Sequence, residues 1–140
     1  MTAKQYLRQL QRIGYQIEAI QEQILRIRSR LESTTIQNTG ERVQSSSMGD
    51  QFASQIAALV DKEREYQAML MDYEILRTRI IDKIVQLPDG IHVKLLTMVY
   101  VDNYSLKAAA DQLHYSYDRI VHIHGEALSS FAKIYLRDDG

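Results

Sequence analysis

Tyr117, Arg119 and His122 fall within six residues of one another near the C-terminal end of the chain, directly behind Ser116. These residue types can do recognition chemistry. An arginine binds a guanine edge through two parallel hydrogen bonds, the commonest specific side-chain contact to DNA. Serine hydroxyls and lysine ammonium groups bond backbone phosphates, which fixes register without reading sequence. The expected DNA contacts are therefore Arg119, His122 and Tyr117 at base edges, Ser116 and Lys107 at phosphates, and Lys133 further along. Each also has a plainer reading as a solvated surface side chain.

Other chemistries find little support. The chain has no cysteine, which excludes disulfides, a thiol nucleophile and cysteine-ligated metal. No Gly-rich phosphate loop, H-E-x-x-H pair or G-x-S-x-G elbow occurs, so no enzymatic activity is expected, and no cofactor. His122 and His124 form an H-x-H pair. On a helix, residues two apart point about 200° from each other, so the two rings cannot share one tetrahedral ion, and no metal site is expected. The nine tyrosines suggest stacking platforms, but Tyr6, Tyr66 and Tyr73 sit at helical seam positions and read as packing. Of the two tyrosines flanking the turn, Tyr115 is expected in the core and Tyr117 outside.

A reading helix has to be held by something. Ser105 is an N-cap candidate for a short helix over 106–113, and Ser116 for a second one running to about Leu136. Ala109 and Ala110 are small enough to let the second helix cross closely, Leu113 lies under the turn, and Ile120 and Ile123 face inward. This is the pattern of a helix-turn-helix. His114 stands at the turn position, where a positive φ is usual, and histidine tolerates that conformation better than most residues. A further helix is expected over 91–102, closed by a turn at Asn103-Tyr104. Pro88 separates this part from what precedes it.

Upstream, Ala3, Tyr6, Leu10, Ile13, Ile17, Ile20, Ile24, Ile27 and Leu31 alternate at spacings of three and four, a coiled-coil seam on a helix of residues 2–32, about 45 Å long. A second long helix is expected over 50–87 with Asp50 as its cap. Its seam (Phe52, Ile56, Leu59, Tyr66, Leu70, Tyr73) is interrupted by Glu63 and shifts phase from Leu76 to Ile80, Ile84 and Leu87. Residues 33–49, with seven Ser/Thr and two glycines, read as a flexible connection. The two long helices can pair as an antiparallel hairpin within the chain or as a coiled coil between chains. Under the second reading Leu10, Ile13, Ile17, Ile20, Ile24 and Ile27 are the oligomerisation residues, and a dimer is favoured.

The expected fold is thus all-α. A long coiled-coil-like helical hairpin (residues 1–87) precedes a small three-helix helix-turn-helix domain (88–140). At 140 residues, 45% apolar and 25% charged, the chain has an ordinary globular composition. No apolar stretch approaches the length of a membrane span, and the first residues lack the apolar core of a secretory signal, so a cytoplasmic location is expected. The net charge of −1 is unevenly spread. Residues 1–31 hold six bases against two acids, a net +4, and residues 88–140 hold five bases against seven acids, a net −2.

The stretch SLKAAADQLHYSYDRIVHIHGEALSSF resembles the last domain of primary sigma factors, whose helix-turn-helix reads the promoter −35 element. Leu106, Ala110, Leu113, Ser116, Ile120, Ile123 and Ala127-Leu128 occupy its structural positions. Across the whole chain, from MTAKQYLRQL through the Ser/Thr-rich middle to YSYDRIVHIHGEAL, the sequence looks like short phage and prophage proteins of Gram-positive bacteria. That family is often labelled only as a domain of unknown function and is grouped with the ArpU-like and RinA-like regulators of late-gene transcription. The resemblance implies a sigma-like activator of late or packaging genes in the bacterial host cell, with double-stranded DNA and RNA polymerase as partners. His114 replaces the usual glycine, and the reading helix carries Asp118 with Arg119 as its one permanent cation, where sigma-like domains present several arginines. The alternative is a non-enzymatic adaptor whose coiled coil and acidic helix-turn-helix engage polymerase, a host factor or a packaging protein. A small terminase subunit, which combines the same parts, is a third reading.

Overall fold

The computed structural model describes residues 1–38 and 46–136, and all of the regular structure among them is helical. The helices are α1 (Ala3–Asn38), α2 (Ser46–Val85), α3 (Gly90–Leu96), α4 (Leu106–Leu113) and α5 (Tyr117–Tyr135), with a π-helical turn at Thr97–Val101 after α3. The chain is all-α, as its periodicities predict. Among the described residues no helix is long and apolar enough to cross a membrane.

Both long helices reach further into the Ser/Thr-rich segment than expected. α1 continues to Asn38 and α2 begins at Ser46, which places Asp50 inside the helix and not at its cap. Serine and threonine cost only a few tenths of a kcal/mol each in a helix interior, and extending an existing helix avoids the cost of a new nucleus. Residues 39–45, the rest of the expected connection, lie outside the described residues. α2 stops at Val85 in a turn where Leu87 N–H donates to the Ile84 carbonyl at 3.0 Å, just before Pro88.

The chain divides into two compact units, and the division is not at Pro88. One unit joins Met1–Gly14 to Tyr73–Gly140, and the other is Tyr15–Asp72. In the first unit, Ala3, Leu7 and Leu10 of α1 and Ile80, Ile84 and Leu87 at the end of α2 share one buried cluster with Leu96, Tyr100, Val101, Ala127 and Phe131. The expected helix-turn-helix domain therefore includes the start of α1 and the end of α2. Burying this apolar surface is the main stabilising term. The phase shift at Leu76 is what turns Ile80, Ile84 and Leu87 into that core.

Polar contacts fix the same junction. Lys83 Nζ donates to Tyr6 Oη at 2.8 Å and lies 4.5 Å from the centre of the Tyr6 ring. The Tyr135 hydroxyl donates to the Lys83 carbonyl at 2.7 Å. Phe131 sits between the two tyrosines, with ring centres 5.8 Å from Tyr6 and 4.9 Å from Tyr135.

Within the second unit, Gln21 donates to Tyr66 Oη at 2.9 Å and Arg28 pairs with Glu63 at 2.6 Å, so the number on α2 falls as that on α1 rises. The two helices run antiparallel in one chain. Glu63, the apparent interruption of the seam, is the partner of Arg28. Ile17, Ile20 and Ile24 are buried here, and Leu10 is buried in the first unit. Ile13 and Ile27 are partly covered. Of the six seam residues read as an oligomerisation surface, Leu10, Ile17, Ile20 and Ile24 are therefore taken up by packing within the chain, and Ile13 and Ile27 keep part of their surface.

Candidate nucleic-acid interface

The helix-turn-helix is built from α4 and α5. Ser105 caps α4 by accepting from Ala108 N–H at 3.0 Å, and Ser116 caps α5 by accepting from Arg119 N–H at 3.2 Å. Between them α4 ends at His114, with φ 61° and ψ 38° in the left-handed region. The N–H of Tyr115 reaches the Ala110 carbonyl at 3.0 Å and that of His114 reaches Asp111 at 3.4 Å, the two bonds of a Schellman motif. Histidine thus fills the place that glycine usually takes. Ala109 and Ala110 are buried, as the close crossing of α4 and α5 requires, in a second cluster with Leu95, Met98, Ile120 and Ile123.

The π-helical turn feeds both cores. Asp102 N–H bonds back five residues to the Thr97 carbonyl at 3.0 Å, and the chain then reverses at Asn103, with φ 62°. Leu95 and Met98 enter the α4–α5 cluster, while Leu96, Tyr100 and Val101 enter the cluster shared with α1 and α2. The sequence reading of a single helix over 91–102 did not anticipate this wider turn.

With Ile120 and Ile123 buried, α5 turns Tyr117, Asp118, Arg119, Val121 and His122 to solvent. Tyr117, Arg119 and His122 share the first two turns of the helix. His122 Nε2 lies 3.0 Å from Glu126 Oε1 on the same helix. Ser116 Oγ is engaged as a cap acceptor but keeps its own proton to donate. Lys107 is exposed on α4. Lys133 is exposed as well, but fourteen residues along α5 put it about 21 Å from Arg119, beyond the patch formed by the others. Tyr115, expected in the core, is exposed at 42% because the Schellman turn carries it outward.

The two remaining histidines belong to the interior; sequence reasoning weighed His124 only as half of the H-x-H pair and passed over His92. His124 is buried, with Nε2 2.7 Å from Tyr100 Oη. Burial, reinforced by the charges of Lys4 and Arg8, pushes its pKa below the usual histidine value, and burial pushes the Tyr100 phenol up. The signal for His124 was in its spacing, four residues after Ile120 and three before Ala127. His92 is buried against α5, with Nε2 3.7 Å from carboxylate oxygens of both Asp89 and Glu126, and its Nδ1 finds no partner among the described residues. No group of three or more metal-ligating side chains comes together among the described residues.

Comparisons with family models, with curated proteins and with solved structures return no match.

Proposed function

We propose that the protein is a sequence-specific DNA-binding transcription regulator of a phage or prophage, activating late or packaging genes in a sigma-like manner. The observation that carries this reading is the α4–α5 pair itself. Two short helices are joined by a capped, left-handed turn, and the second presents Tyr117, Arg119 and His122 from its first two turns while Ile120 and Ile123 anchor it. A helix mounted in that way fits a major groove and can offer its N-terminal side chains to base edges. The resemblance to sigma-factor and ArpU-like or RinA-like sequences supports the regulatory role, with RNA polymerase as a further partner. A homodimer would add affinity by engaging two half-sites.

The test is fluorescence anisotropy on duplex fragments tiled across a late promoter region at two salt concentrations. Saturable, salt-sensitive binding to one fragment is expected. Replacing Arg119 by alanine should weaken it by about 1–3 kcal/mol and relax the preference at one base position. Unchanged affinity and preference in Arg119→Ala would remove Arg119 as a reader. Absence of binding to every fragment would favour the adaptor reading, which the acidic residues Asp118 and Glu126 on α5 support.

A further inference from the structure

The unit Tyr15–Asp72 is a helical pair with little inside it. Among its described residues only Ile17, Ile20 and Ile24 are buried, whereas Leu25, Phe52, Ile56, Val60 and Met71 are exposed. Single exposed apolar side chains are ordinary on a protein surface, but a contiguous run of them marks a place where something packs. Four of these five form such a run. Helical periodicity puts Ile56, Val60, Gln67 and Met71 within about 60° of one another on α2. That stripe lies roughly a quarter-turn from Glu63 and Tyr66, the residues that bond to α1. On the same side of the pair, Ile24 and Leu25 of α1 and Val60, Arg64, Tyr66 and Gln67 of α2 line an open groove of about 790 Å³. Tyr15 is exposed as well, but it sits on the opposite side of α1 from the buried isoleucines.

We propose that a second copy of this chain docks in this groove, its α2 antiparallel to the first across a two-fold axis that passes between Glu63 and Arg64. The stripe is self-complementary about that point. Antiparallel pairing centred there sets Ile56 opposite Met71 of the partner copy, Val60 opposite its Gln67, and Arg64 opposite its Glu63. Each pair occurs twice, because a two-fold interface is isologous. The charges agree with this register. Arg28 takes Glu63 Oε1 at 2.6 Å and leaves Oε2 for a second donor, and among the described residues Arg64 has no acidic partner in its own chain. The size agrees too. Paired helices about 35 Å long and about 10 Å wide each present about 700 Å² per copy, or about 1,400 Å² in all, within the range of stable interfaces. Pairing would bring two reading helices into one molecule, and in that respect it rests on the DNA-binding reading; the association itself needs no DNA.

Sedimentation velocity of the full chain, from low micromolar to several hundred micromolar, measures the association, and the wild type should pass from monomer to dimer within that range. Ile56→Glu/Met71→Glu sets carboxylates against each other across the interface. Both side chains are exposed in a single copy, so the thermal melt should stay near wild type while the dimer dissociation constant rises by about a hundredfold. Arg64→Glu meets Glu63 of the partner copy and should weaken the dimer by on the order of tenfold, with Arg64→Lys near wild type. Tyr15→Glu, on the far side of α1, should leave the dimer unchanged. The chain has no cysteine, so introduced thiols report the register. A short bis-maleimide should link a mixture of Val60→Cys and Gln67→Cys copies in higher yield than Val60→Cys copies alone. A wild type that stays monomeric throughout, a dimer indifferent to Ile56→Glu/Met71→Glu, or an assembly of more than two copies would overturn the docking surface. A higher yield from Val60→Cys alone would overturn the antiparallel register. Duplex binding is scored separately: a dimer that binds no duplex keeps this surface while the DNA-binding reading fails, and a monomer that binds duplex overturns the surface and leaves the reading of α5 untouched.

Discussion

Leu7 is the most direct test of where the helix-turn-helix unit begins. It has no exposed surface and belongs to the cluster formed with Phe131, Ala127, Leu96 and Ile84. Truncating a fully buried leucine to alanine removes its transfer free energy and leaves a cavity, at a cost of about 2–5 kcal/mol. For a unit of about 80 residues, each kcal/mol moves the melting temperature by roughly 4–8 °C, so a loss near 3 kcal/mol lowers it by about 10–25 °C. Leu25 supplies the control. It is the same residue type in the same helix but 63% exposed, and Leu25→Ala should stay within about 0.5 kcal/mol. Circular dichroism melts give the two shifts, and amide exchange identifies which helices open. In Leu7→Ala the loss of protection should appear in α3 and α5, more than eighty residues away in sequence. A companion fragment of residues 88–140 should not fold alone, because it lacks Ala3, Leu7, Leu10, Ile80, Ile84 and Leu87 from its core. A cooperatively melting fragment with the same α5 protection as the whole chain, or a Leu7→Ala protein melting within a few degrees of wild type, would refute this account.

Stability should fall at both ends of the pH range. The folded pKa of His124 lies below the unfolded value of about 6.5, so the unfolded chain takes up a proton first as pH drops below 6.5, and this contribution to stability is lost on the acid side. Tyr100 is raised above its ordinary value of 10.0, so the unfolded chain ionises first as pH rises past 10, and stability declines there too. Urea melts across pH 5–11 should display both slopes, and Tyr100→Phe should remove the alkaline contribution. Tyr100→Phe also strips His124 Nε2 of its partner at 2.7 Å, a loss of about 1–3 kcal/mol at neutral pH read from the same melts. At His114, with φ 61°, a β-branched valine should cost about 1–2 kcal/mol, while glycine should be neutral or slightly stabilising; equal melting temperatures for the two would argue against the left-handed turn. Ser116→Ala removes the α5 cap and should cost about 0.5–2 kcal/mol by the same assay.

The parts of the molecule legible in the sequence are those where one period and one cap determine the local structure. The α4–turn–α5 segment could be read because serine caps, paired alanines and inward isoleucines all point to the same geometry. The seam of α1 could be read for the same reason, yet its partner could not. Isoleucines at three-four spacing are equally satisfied by the chain's own α2 or by another molecule, and only the Gln21–Tyr66 and Arg28–Glu63 pairs make the antiparallel intrachain answer visible. The domain boundary was misplaced because proline marks the end of a helix, not the edge of a core.

Leu7 explains the rest. A two-helix seam needs two apolar positions per heptad, and from Ile17 to Ile24 the buried residues follow that narrow stripe. Between Ala3 and Leu10 the apolar face is wider, with Tyr6 and Leu7 adjacent, as on a helix that packs against more than one neighbour. The strict three-four alternation accepted Tyr6 and passed over Leu7. That extra width is the sequence signature of the added contact with the C-terminal helices, and it carries a consequence for charge. A helix drawn into the helix-turn-helix unit by Leu7 and Leu10 must bring its other faces along, so the residues that flank the stripe, Lys4 and Arg8, are held at the α4 end of that unit. The basic N-terminal segment and the acidic C-terminal segment look like separate regions with opposite charge when counted along the chain. In the folded unit the same helix contributes both core and cations, so a substitution that loosens Leu7 should also weaken any binding that depends on Lys4 and Arg8. Salt-dependent anisotropy on Leu7→Ala measures that coupling, and an unchanged salt slope in a protein whose α1 has come loose would separate the two roles.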